Sequence, residues 1–112
     1  MNSSAIGAQG EQIAAEWLER RTYLILQRNW KTRWCEIDII ASRGDVLFFV
    51  EVKYRKSSAF GSGLEYITAK KLQQMHFAAE LWIQTHKYQG ACQLAALAVD
   101  GATLDVEFID DL

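Results

Sequence analysis

Two neighbouring stretches constrain this chain more than any other. Val46-Leu47-Phe48-Phe49-Val50-Glu51-Val52-Lys53 is an apolar strand into which a carboxylate and an ammonium are set two residues apart. Just before it, Glu36-Ile37-Asp38-Ile39-Ile40 is a second apolar strand with two carboxylates at the same spacing. Charges inside strands this apolar cost free energy unless they are paired or bind a metal. Four of them on adjacent strands mark a candidate functional site.

Together the two stretches predict a hairpin, Cys35 to Ser42 and Asp45 to Arg55, closed by Arg43-Gly44. Side chains alternate across a strand. Glu36, Asp38 and Ile40 therefore share one face, with Ile37 and Ile39 on the other. Phe49, Glu51, Lys53 and Arg55 share a face of the next strand, opposed by Val50, Val52 and Tyr54. A two-residue loop pairs Ser42 with Asp45, sets Asp38 opposite Phe49 and Glu36 opposite Glu51, and leaves Asp38 and Glu51 diagonal on one face. A three-residue loop would put them on opposite faces.

Around the hairpin, Ser3 to Arg21 reads as a helix, with Ser3 or Ser4 as cap and Ile6, Ile13, Trp17 and Leu18 at helical spacing. Gly7 and Gly10 weaken that helix, so they suggest a late start or a close approach to a neighbour. Glu11 falls along the edge of the buried stripe, where a dipole-facing first-turn glutamate is the bland alternative. Tyr23 to Arg28 is a short strand, and Asn29 to Trp34 is a polar and aromatic connection. There Trp30 and Trp34 flank Lys31 and Arg33, a mix suited either to stacking and phosphate contact or to covering one end of a sheet.

Lys56 to Gly63 is a polar loop. Ile67 to Lys87 is a second helix, capped by Thr68, with Leu72, Met75, Ala79, Trp82 and Ile83 inward. Lys70 and Lys71 lie in its first turn, where the helix dipole disfavours cations. Their placement calls for a reason other than helix stability. Cys92 to Val99 and Leu104 to Ile109 are strands joined through Asp100-Gly101. The order α-β-β-β-α-β-β predicts a single α/β domain over residues 1–112, a mixed β-sheet flanked by helices.

Composition narrows the class without naming a partner. At 112 residues, half of them hydrophobic, the chain suits one globular core. No apolar run approaches the roughly 20 residues of a membrane span, and Met-Asn-Ser-Ser lacks signal-peptide character. Cys35 and Cys92 have no metal-type spacing, which fits reduced thiols in the cytoplasm. The net charge of −2 hides an asymmetry: residues 1 to 87 hold all 12 Lys and Arg against 9 acidic groups, or +3, and residues 88 to 112 hold 5 acidic groups alone, or −5. A basic face remains compatible with the acidic total.

Carboxylates on adjacent strands make a hard-oxygen site suited to Mg²⁺ or Mn²⁺. Lys53, close to Glu51 along the strand, is placed to orient a metal-bound water or to stabilise charge on a phosphorane. Glu11 completes the acidic set. An ordinary polar face of a half-exposed sheet is the bland alternative.

Glu36-Ile37-Asp38-Ile39-Ile40 followed by Phe49-Val50-Glu51-Val52-Lys53-Tyr54-Arg55 resembles the motif of PD-(D/E)xK nucleases, the restriction-endonuclease-like fold. Nearly the whole chain is similar to the small bacterial YraN family, whose fold resembles archaeal Holliday-junction resolvases. Gly7-x-x-Gly10-Glu11, Asn29-Trp30, Phe60-Gly61 and Thr68-x-x-Lys71 carry that likeness. The resemblance implies Asp38 and Glu51 as metal ligands, Lys53 as catalytic lysine and Glu11 as helix carboxylate. It implies Lys71 as a substrate or supporting group, and Arg55 and Arg33 are further substrate-binding candidates. Two departures stand out. Cys35 replaces the usual glycine before Glu-Ile-Asp, and Gln93-Leu94-Ala95-Ala96-Leu97 lacks the Arg-Phe-Asp usual there.

The expected function is a Mg- or Mn-dependent nuclease-like protein that binds structured or branched nucleic acid, DNA ahead of RNA. A homodimer is expected by analogy. The alternative is a catalytically silent nucleic-acid-binding or protein-interaction module on the same fold.

Overall fold

A computed structural model provides the structure; it describes residues 3–56 and 63–112, with side chains from residue 7 onward except at 63 and 66. The described elements are α1 (Ser3–Arg20), β1 (Leu24–Lys31), β2 (Glu36–Arg43), β3 (Val46–Arg55), a 3₁₀ turn (Gly63–Tyr66), α2 (Ala69–His86), β4 (Ala91–Asp100) and β5 (Val106–Ile109). The mixed α/β order matches the expectation. The caps at Ser3 and Ser4, the side chain of Ile6 and the Phe60-Gly61 pair lie outside the described residues and side chains.

All five strands form one sheet in the order β1-β2-β3-β4-β5. β1, β2 and β3 run as an antiparallel meander, β3 and β4 pair in parallel, and β5 returns antiparallel to β4. A parallel pair needs a long crossover, and α2 lies in it. The helices cover opposite faces. Ala14, Ala15 and Leu18 of α1 pack with Ile39, Val50, Leu97 and Val99. Met75, Ala78, Ala79 and Trp82 of α2 pack with Ile40, Leu47, Phe49 and Leu94. Strand parity therefore holds along most of the hairpin. Ile37 is the exception, joining the α2 cluster rather than the side of Ile39.

The hairpin turn sits one residue later than expected. Arg43 pairs with Val46, so Gly44-Asp45 forms the two-residue loop. Gly44 has φ +61, and a two-residue hairpin with glycine at its first central position accepts that left-handed backbone without penalty. Two further boundaries move. β1 runs on through Asn29 to Lys31, pairing with β2 as far as Lys31↔Glu36, in place of the expected connection. The last hairpin closes through residues 101–105, with Asp100 Oδ1 accepting from the backbone N–H groups of Ala102 and Thr103.

Gly10 explains how α1 meets the sheet. A Cβ there would lie 2.7 Å from Tyr54 Cβ, whereas one at Gly7 would meet nothing within 4 Å. The close approach expected of the glycines thus belongs to Gly10. At the other helix, Thr68 is the N-cap of α2, its Oγ1 accepting from Lys71 N at 3.1 Å.

Candidate metal centre and groove

The β2–β3 ladder stops at Ile39↔Val50. From Glu51 to Arg55, β3 keeps its pairing with β4 but has no partner residues on β2. At this parting, Val52 N donates to Asp38 Oδ2 at 2.8 Å. A side chain thus takes the backbone donor that a ladder partner would otherwise have used. Asp38 and Glu51 are the next residues on the two strands after the last pair. The expected diagonal relation across a continuous ladder is not found: the loop sits one residue later, and the ladder ends before it reaches them.

Glu51 is held from the other side. Lys71 Nζ lies 2.8 Å from Glu51 Oε1, and the two side chains are 31% and 18% exposed. This ion pair is the reason for a lysine in the first turn of α2, where the helix dipole alone would disfavour it. A pair this sheltered is screened less than a surface one.

Glu11 comes from α1, on the opposite face. Its Oε1 is buried without a hydrogen-bond partner. Burial raises the pKa of the Glu11 carboxyl, Arg28 and Lys31 and a hydrogen bond with Asn29 oppose that, and Glu36 adds to it. Asp38 is affected more strongly. Burial first, then the charge of Glu51, push its pKa up to about 7; Glu11 and Glu36 add to the rise, and the Val52 N–H works against it. Carboxylates from α1, β2 and β3 therefore sense one another where the strands part.

These groups do not form a closed cage. Among the described residues, no set of three or more His, Cys, Asp or Glu side chains is gathered tightly enough to hold a metal. The chemistry of the donors is of the kind a magnesium-like ion takes, since that ion commonly binds through one or two carboxylates and keeps several waters, although Lys71 already occupies Glu51 Oε1. Asp38 and Glu51 supply two hard oxygen donors, and the unpartnered Glu11 Oε1 offers an acceptor to a bound water.

The other candidates separate. Lys53 is exposed on β3, two residues beyond Glu51 and paired in register with Ala98. Beside Glu51 stands Ala96, so β4 presents only methyl groups next to these two positions. Arg55 lies at the far end of β3 against Asp100, away from the Asp38–Glu51 opening. Arg33 sits in the β1–β2 connection, its guanidinium 5.3 Å from the Trp34 ring centroid. The tryptophans divide as well. Trp30 packs against the α2 cluster and edge-on to His86, whereas Trp34 stays exposed.

An open groove of about 530 Å³ runs past Glu51 and Lys71, bordered by Trp34, Cys35, Glu36, Lys70 and Phe77. The sequence reading missed Phe77 and the glutamines Gln73 and Gln74 that also line it. Their signal was the spacing Lys70, Gln73, Gln74, Phe77, a second helical stripe beside the apolar one.

No described helix is long and apolar enough to cross a membrane. The family model described as "Uncharacterised protein family UPF0102" matches residues 10–106. A UPF0102 protein of Cytophaga hutchinsonii is 38% identical over 104 residues, covering 93% of this chain and 92% of the relative. A UPF0102 protein of Leifsonia xyli is 40% identical over 84% of this chain and 80% of its own length. One from Fusobacterium nucleatum is 40% identical over 80% and 75%. With a match across the helix carboxylate, the parted hairpin and the groove helix, the chain belongs to the uncharacterised protein family UPF0102.

Proposed function

We propose that this protein is a metal-dependent nuclease-like protein of the restriction-endonuclease-like class, acting on structured or branched nucleic acid, DNA ahead of RNA. The observation that carries this reading is the convergence of Asp38, Glu51 and Glu11, from three elements, on the gap where β2 leaves β3. Asp38 and Glu51 would hold Mg²⁺ or Mn²⁺. Such an ion, when bound, polarises a phosphoryl oxygen and acidifies a coordinated water. Glu11 orients water through its buried oxygen. Lys53 stabilises negative charge building on the phosphorane, and Lys71, Arg33 and Arg55 are the cations for the phosphate backbone. A cytoplasmic homodimer completes the proposal, with the free thiols Cys35 and Cys92 suited to a reducing compartment.

A second reading, a catalytically silent nucleic-acid-binding or protein-interaction module, draws on two observations. Lys71 already neutralises Glu51, and β4 places only Ala96 and Ala98 beside Glu51 and Lys53.

Thermal unfolding with millimolar Mn²⁺ separates them. The nuclease reading expects a rise in melting temperature that Asp38→Asn abolishes, together with Mn²⁺-dependent cleavage of a branched DNA. The absence of any metal-dependent shift in the unaltered protein sinks the nuclease reading. A shift without cleavage leaves the silent module.

A further inference from the structure

Two large side chains left in solvent border the same groove as Glu51. Trp34 is 69% exposed and Phe77 is 53% exposed. Single exposed apolar residues are ordinary, but grouped ones mark contact sites. These two come from different elements, the β1–β2 connection and α2, and meet on one groove. The stripe Lys70, Gln73, Gln74, Phe77 runs beside the core stripe Met75, Ala78, Ala79, Trp82, so α2 turns one face to the core and another to the groove. Arg33 stacks against the Trp34 ring, setting a cation beside an aromatic face.

We propose that this groove binds an unpaired nucleic-acid strand, with bases stacked on Trp34 and Phe77 and phosphates met by Lys70 and Arg33. The strand then passes over Glu51. This deepens the nuclease reading and rests on it for the cleavage step alone. The groove's own carboxylates are paired, Glu51 with Lys71 and Glu36 with Lys31, which leaves Lys70 on the lining and Arg33 beside Trp34 as the cations for phosphates. Aromatic faces accept any base, and stacking is available only to bases free of their own duplex neighbours. Glutamine amides carry donors and acceptors suited to exposed base edges. A duplex keeps its bases stacked internally and offers the aromatic pair nothing. Flapped, forked and gapped substrates carry unpaired nucleotides beside the duplex, and these are the structured substrates a stacking groove next to a candidate cleavage site would take.

The test uses the full chain in metal-free buffer, where cutting plays no part. Fluorescence anisotropy compares a labelled single strand of about 12 nucleotides, within the usual site size, with the same sequence as duplex. The single strand binds more tightly. Trp34→Ala and Phe77→Ala each weaken it by about 5- to 150-fold, from the worth of one stacked base. Trp34→Tyr recovers most of the loss. Lys70→Gln lowers the salt dependence by about the contribution of one phosphate contact. Both aromatic positions are exposed, so the variants fold. Wild-type affinity in both alanine variants overturns the proposal, as does preference for the duplex or no binding of the single strand. The Mn²⁺-dependent rise in melting temperature is measured on the same samples. Its absence alongside an intact stacking effect sinks the metal reading and leaves the groove assignment standing.

Discussion

Lys71 Nζ sits 2.8 Å from Glu51 Oε1, a cation from the first turn of α2 set on a carboxylate of β3. The pair joins the crossover helix to the parting of the hairpin, and it makes Lys71 a competitor for any cation at Glu51. Lys71→Gln leaves a largely buried carboxylate without its ion. The expected cost is about 1–2 kcal/mol, between the values for exposed and buried pairs, or a fall in melting temperature of roughly 4–16 °C. In the same variant the Mn²⁺ concentration giving half the thermal shift decreases. An unchanged melting temperature and an unchanged Mn²⁺ midpoint together reject the competition.

Asp38 gives stability a pH dependence of definite sign. Its pKa rises from 3.8 to about 7 on folding, chiefly through burial and the charge of Glu51. The folded state therefore keeps this proton while the unfolded state loses it. The contribution is fully present below about pH 4, declines by up to about 1.4 kcal/mol per pH unit as pH rises, and is gone above about pH 7. Glu11, also raised, adds to the same trend. Asp38→Asn keeps an acceptor for Val52 N and removes the titration. Metal-free denaturation from pH 4 to 8 shows the variant gaining on the wild type as pH rises, with a plateau above pH 7. Parallel curves exclude Asp38 as the source.

The two glycines of α1 separate helix propensity from packing. Gly7→Ala meets open space and stabilises by roughly 0.5–1 kcal/mol. Gly10→Ala drives a methyl into Tyr54 Cβ, and overpacking of this kind costs roughly 1–3 kcal/mol. Because Glu11 is the next residue, Gly10→Ala also weakens the Mn²⁺ shift, whereas Gly7→Ala leaves it unchanged. Calorimetry of both variants with and without Mn²⁺ checks the pair of outcomes.

Thr68→Ala removes the acceptor for Lys71 N and costs about 1 kcal/mol, a fall of roughly 4–8 °C. Thr68→Ser retains the cap and most of the stability. Equal melting temperatures for the alanine and serine variants would falsify the cap as a stabilising contact.

Much of this arrangement was legible from residues alone, and the exceptions share a cause. The hairpin and its face assignment depend on alternation and a two-residue loop, both local properties. Moving the loop from Arg43-Gly44 to Gly44-Asp45 shifted every cross-strand partner by two residues while preserving parity. Gly44 carries the left-handed backbone, so its place in the turn was in principle readable. The expected connection began at Asn29, and that residue does take left-handed backbone, φ +54. The strand continues through it because β2 supplies pairing on both sides, which no local preference reveals. Phe77 stayed hidden because one apolar residue outside a helix's buried stripe looks like an ordinary surface residue until a groove is built beside it.

By itself, the sequence determined the element order, the hairpin parity, the Thr68 cap and the candidate carboxylates, since each follows from periodicity or short-range chemistry. Tertiary structure decided where β2 leaves β3, that Asp38 enters that gap to meet Val52 N, and that Lys71 reaches Glu51. It also set Trp34 and Phe77 on one groove. Those relations join residues from separate elements, and their energies depend on burial and on charges brought close together only when the sheet and both helices pack.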